Sequence, residues 1–281
     1  MSGRRTSLAL AALGVGAVAA ILIAERRRPS RPVAAREPQR TIRNLALGAS
    51  CLVVIRLAEK PLLDAVAETV EQRRLGIAQR LPERWRDPAA FLLLDWGMYL
   101  WHVATHKVPF LWRLHLVHHV DQDMDASTAL RFHAADMLVS IPFRAAQITL
   151  AGAGPRAHRA WQSFFFLSVL FHHSRIRLAA PWERRLSRVL TTPGMHDIHH
   201  RAVQAATDSN WSSGLALWDH LHRTFRGQAP AAPIGVAGYR APGDARLATA
   251  LALPFVPQKD PWPAPARSDG HGDPRPGPPE P

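Results

Sequence analysis

The sequence predicts an all-α fold, a polytopic membrane helical bundle carrying a cytosolic, histidine-rich di-metal site. Three observations carry that expectation. Apolar segments recur along the chain between clusters of arginine. No stretch sustains the period-two alternation that marks a half-buried strand between turn clusters. Fifteen histidines accompany a single cysteine, and eight of those histidines stand at helical spacing.

Taken in order, Thr6 to Ala24 is uncharged, close to the roughly 20 apolar residues needed to span a bilayer. Arg26, Arg27 and Arg28 follow where a signal peptide would carry its small-residue cleavage site, so residues 1–43 read as a retained anchor and a basic loop. Asn44 to Ile55 is a short second span bounded by Arg43 and Arg56, which must snorkel if it is to cross. Leu62 to Ile77 has mixed charge at helical periodicity and is expected to lie along the surface. Pro88 to Thr105 forms a third segment containing Asp95 and His102. Met137 to Ala153 and Ala160 to Phe171 are short and polar for lipid-exposed spans, and read as a helical pair buried against other helices. One domain is therefore expected over 44–227. Residues 228–281, rich in Pro, Ala and Gly and ending in GHGDPRPGPPEP, read as a disordered tail without a core.

The net charge of +13 comes largely from arginines beside apolar segments, such as Arg26, Arg27, Arg28, Arg31, Arg36, Arg40 and Arg43. That distribution suits membrane flanks and argues against nucleic acid as a partner. Placing the arginine-rich loop in the cytoplasm puts the end of the third segment, with its histidines, on the same side. The lone Cys51 excludes a disulfide framework and any cysteine-rich zinc site.

The histidines form three clusters: His102 and His106; His115, His118 and His119; His196, His199 and His200. Residues three and four apart share one helical face. Leaving eight buried imidazoles without partners would cost on the order of 1–3 kcal/mol each, a difficulty that two metal ions remove. Imidazole alone does not choose among zinc, copper, iron and nickel.

The elements DWGMYLWHVATH (95–106), LWRLHLVHH (111–119), TALRFH (128–133), LFHHS (170–174), TPGMHDIHH (192–200) and DSNWSSGLALWDHLHRT (208–224) resemble, in order and spacing, the fatty acid hydroxylase superfamily and especially its bacterial sterol desaturase branch. The resemblance implies an integral-membrane enzyme, placed in a bacterial inner membrane with its site facing the cytoplasm. It further implies an O2-dependent, non-haem di-iron oxygenase that hydroxylates or desaturates a C–H bond of a lipid (fatty-acyl, sterol or related), making 44–227 the catalytic domain. The matched positions imply His102, His106, His115, His118, His119, His196, His199 and His200 as iron ligands, with His173 as a further ligand and His172 as its structural neighbour. Asp95, His133, Asp197, Asn210 and Asp219 are expected to orient ligands. No Gly-x-Gly-x-x-Gly fingerprint is present, so electrons must arrive from a separate carrier of cytochrome b5 or ferredoxin type with its reductase. The chain departs from the family in its closing element, where Arg223 replaces a common glycine. Two other readings of the histidines remain open at this point: a zinc-dependent membrane hydrolase, and a non-catalytic metal- or haem-binding membrane protein.

Overall fold

The computed structural model describes residues 2–32 and 37–263. Among these residues the fold is helical, with strand pairing confined to isolated bridges such as Leu190 with Leu215. Helix α1 (Ser2–Arg27) contains the first expected apolar segment. Helix α2 (Glu37–Val54), a π turn (Ile55–Glu59) and α3 (Lys60–Arg73) then run on without a break. The short span and the separate surface helix expected here are thus a single rod. Its π turn lies just before Pro61, which has no N–H to give to the turn behind it and whose ring crowds that turn's carbonyl; a local widening relieves both problems.

The stretch Pro38–Arg80 is long and apolar enough to cross a membrane, and only 17% of its most apolar part is buried within the protein. Leu52, Val53 and Leu57 on this rod stand exposed.

Helices α4 (Glu83–Lys107), α6 (Ala134–Ala151) and α7 (Pro155–His173) pack with α3 around Leu63, Leu94, Ile148 and Trp161. Helices α6 and α7 thus each pack against α3 and α4, while Leu138, Leu150 and Phe166 stay exposed. Gly97 allows the close approach of α4 to α6, since a Cβ there would lie 2.5 Å from the Gln147 side chain. Helix α5 (Pro109–His119) turns back from α4 at Val108 and Pro109. The remaining helices are short: α8 (Ala180–Leu186), α9 (Pro193–His199), α10 (Gln204–Thr207), α11 (Leu217–His222) and α12 (Leu247–Ala252).

Two expectations are overturned. Arg40 is not a lipid-flanking charge; it is buried, donating to Asp121 Oδ2 at 2.7 Å and pairing with Asp125, beside Asn44 and Thr128. Glu25 of α1 is buried on the same side and accepts from the backbone N–H groups of Ala126 and Arg175. These charges fasten α1 and α2 to the segment that follows α5. The second correction concerns the tail. Ile234, Val236, Tyr239, Ala250 and Leu253 are buried, and most of them share a core with Leu47, Leu116, Val117 and Val120. The proline-rich composition hid a few well-placed apolar residues that cap the outer face of α5. Residues 264–281, including the GHGDPRPGPPEP end, lie outside the described residues.

Leu253→Ala should accordingly lower stability by about 2–4 kcal/mol, read from chemical denaturation of the purified protein. A tail without a core would leave stability unchanged.

Candidate metal centre

Each histidine cluster reaches the interior from a different element. His102 and His106 lie one turn apart at the end of α4, and His115, His118 and His119 line the last turn of α5. His173 closes α7, and His196, His199 and His200 come from α9 and its C-cap. Thr192 caps α9, accepting from the Met195 N–H, and Pro193 follows at its first turn.

The nitrogens converge. His102, His106, His115 and His119 form one group, His118, His173, His196 and His200 a second, and His119, His199 and His200 a third. Within each group the potential donor atoms lie within 4.8 Å of one another. All nine histidines expected as ligands fall into these groups. Nε2 of His173 lies 3.0 Å from that of His118 and 2.9 Å from that of His196, and His200 Nε2 lies 3.1 Å from His196 Nε2. Two nitrogens each about 2.1 Å from one ion, at right angles, stand about 3.0 Å apart. The spacing is that of a ligand set.

The opposite ring nitrogens explain which atom points inward. His102 Nδ1 donates to the Trp211 carbonyl at 2.7 Å, His199 Nδ1 to that of Ser209 at 2.8 Å, and His173 Nδ1 to that of Val169 at 2.8 Å. His115 Nδ1 stands 3.9 Å from Asp136 Oδ2. Each of the three carbonyl bonds fixes the proton on Nδ1 and leaves the Nε2 lone pair for a cation. Nε2 of His102, His106, His115, His119 and His199 is buried without a partner in protein. An all-nitrogen, neutral and dry donor set of this kind fits a pair of divalent transition-metal ions.

The five residues expected to orient ligands behave differently from one another. Asp219 accepts from the backbone N–H groups of Trp211 and Ser212 and from Thr224, so it holds the loop whose carbonyl orients His102. Asn210 sits at φ +54°, donates to the Met195 carbonyl and accepts from Arg226 N, fixing that loop on α9. Asp95 does not reach an imidazole: it accepts from Trp161, Trp218 and the Leu215 N–H, and Gly214 makes that approach possible because a Cβ would collide with it. His133 instead caps α6 and bonds the Leu251 carbonyl. Asp197 pairs at the surface with Arg31 and Arg201. Arg223 adopts φ +60°, the left-handed conformation that the family's glycine would take without a Cβ penalty.

Sequence reasoning placed His172 away from the cluster. Its ring instead lies 4.1 Å from that of His196, buried against the second group. The doubled His172-His173 pair was the available signal. A cavity of about 650 Å³ adjoins the centre, lined by His102, His115, His118 and His173 at one end and by Trp101, Phe132, Phe165 and Phe166 along its wall. It extends to Leu45, Leu52 and Ile55 on the membrane-length rod.

Burial holds the α5 and α9 imidazoles in the neutral form. His118, His119, His196 and His200 all lie far below the ordinary histidine value, because burial and then neighbouring imidazoles disfavour charge. His199 is lowered to about 3, chiefly by burial and against the favourable Ser209 carbonyl. The unfolded chain therefore binds protons that the folded chain refuses. Metal-free protein should lose stability progressively as pH falls from about 6.5 toward 3, and thermal denaturation across that range checks the trend.

Residues 88–224 match the fatty acid hydroxylase family. The chain is 29% identical over 184 residues to the ornithine lipid hydroxylase OlsE of Rhizobium tropici, covering 62% of this chain and 53% of that one. It is 29% identical over 145 residues to the alkylglycerol monooxygenase of Homo sapiens, covering 51% and 31%. A cholesterol 25-hydroxylase-like protein of Danio rerio is 32% identical over 147 residues, covering 50% and 55%. The chain thus spans about half of the first and third relatives and about a third of the second. No solved structure matches it.

Proposed function

Since residues 88–224 belong to the fatty acid hydroxylase family, we propose that the chain is a membrane-bound di-iron oxygenase that hydroxylates or desaturates a C–H bond of a fatty-acyl, sterol or related lipid. The observation that carries this reading is the convergence of nine imidazoles, five of which line an adjoining apolar cavity. The relatives named as lipid hydroxylases or monooxygenases favour the same chemistry.

His102, His106, His115, His118, His119, His173, His196, His199 and His200 would hold the two irons. Bound iron would supply activation of O2 and oxidation of an unactivated C–H bond, with two external electrons and two protons completing hydroxylation and releasing water. The protein's own contribution is positional. Carbonyls of Val169, Ser209 and Trp211 aim the imidazoles, Asp136 lies beside His115, and the aromatic wall excludes water and orients an apolar chain. The electron donor is a separate protein of cytochrome b5 or ferredoxin type with its reductase. The exposed apolar face of the Pro38–Arg80 rod, which also borders the cavity, supports a location in the bilayer and entry of substrate from it. We place the enzyme in a bacterial inner membrane with the metal centre toward the cytoplasm.

Purified protein supplied with a reduced donor, membrane lipids and ¹⁸O₂ should carry about two irons per chain and yield lipid containing ¹⁸O when the product is an alcohol, or a new alkene otherwise. The combined His118→Ala and His199→Ala variant should lose both metal and product. Oxygen drawn from water, with zinc in the protein, would instead identify a hydrolase.

A further inference from the structure

The far end of the cavity holds a charge pair that the metal chemistry does not use. Glu59, at the last position of the π turn, is 3% exposed, and its Oε1 accepts from Arg144 Nη1 of α6 at 2.5 Å. Both residues line the cavity, yet Oε2 of Glu59 is buried without a partner. Asp136 lines the same cavity beside His115. Asp136 and Arg144 are eight residues apart on α6, which separates the two ends by roughly 12 Å at 1.5 Å per residue.

A closed ion pair tying the rod to α6 explains Oε1 but not Oε2. Burying an unmatched carboxylate oxygen is costly, and π turns inside longer helices frequently coincide with functional positions. The pair is neutral as a whole, so an anionic group would meet the Glu59 charge while a neutral donor would complete it. Resting on the lipid-oxidation reading, we propose that Glu59 and Arg144 form a specificity subsite for an uncharged hydroxyl on the lipid. That hydroxyl donates to Glu59 Oε2 and lies on the order of ten carbon–carbon bonds from the carbon presented to the histidines. The subsite sets which lipids bind and in which register they present their chain.

Binding tests this without turnover, so its failure is distinguishable from failure of the oxygenase reading. Full-length protein in lipid nanodiscs is titrated with 1-dodecanol, its methyl ether and dodecanoate at pH 8, by calorimetry. The alcohol should bind at least tenfold more tightly than either competitor. In the Glu59→Leu, Arg144→Met double variant, which replaces a buried pair with apolar side chains, that preference should fall to within twofold. Metal content read in parallel should not change. Equal binding of alcohol and ether by the native protein, tighter binding of dodecanoate, or an undiminished alcohol preference in the double variant would overturn the proposal. The native comparison decides the matter even if the double variant does not fold.

Discussion

Nitrogen lone pairs gathered in a dry interior repel one another, and the organisation of this protein follows from that. Nε2 atoms of His118, His173, His196 and His200 approach to about hydrogen-bond distance in successive pairs. His173 carries its proton on Nδ1, and the other three have no Nδ1 partner, so either tautomer leaves each of them with an unsatisfied buried nitrogen. Protonation would relieve the repulsion at the expense of burying cations, and burial pushes His118, His196 and His200 far below the ordinary histidine value. A divalent cation resolves both difficulties. Burial, tautomer and convergence thus point to the same occupant.

The helices alone do not aim the rings. Backbone carbonyls at 169, 209 and 211 do so, and two of these belong to the irregular stretch between α10 and α11. That stretch is itself pinned by Asp219, by Asn210 in a left-handed turn, and by Asp95 reaching across from α4 through Gly214. Removing Asp219 would therefore act on His102 at one remove, through Trp211. Beneath the centre, Arg40, Asp121, Asp125 and Glu25 tie α1 and α2 to the chain after α5. The apolar rod that borders the cavity is thereby anchored to the helices that carry the histidines.

What was legible in the sequence was whatever depends on spacing. Histidines three and four apart define a helical face before any fold is known, and the nine expected ligands do converge. The role of Asp95 was not legible, because a carboxylate two turns from a histidine is equally well placed to hold a loop, and only the path of residues 208–224 settles which it does; those of His133 and Asp197 depend on distant partners, Leu251 for the one and Arg31 for the other. His172 belongs to none of the ligand groups, yet its ring packs on His196, a direction that depends on how α9 returns to α7. The tail misled through composition. A handful of apolar residues among many prolines can still cap a helix when each falls at a contact, and Val236, Tyr239, Ala250 and Leu253 do. The sequence divides the single rod from 37 to 73 at Arg56 and at the mixed charge of Leu62 to Ile77, whereas a π turn carries the helix through.

The central claim is that the imidazoles surround two ions rather than packing as a hydrogen-bonded core. Anomalous diffraction at the iron edge, on crystals of protein purified from iron-replete cells, tests it most directly. The account predicts two peaks, one among His102, His106, His115 and His119 and one among His118, His173, His196 and His200, each with nitrogens at about 2.1 Å. Rings that hydrogen-bond to one another or to water around an empty centre, with no peak between them, would contradict it.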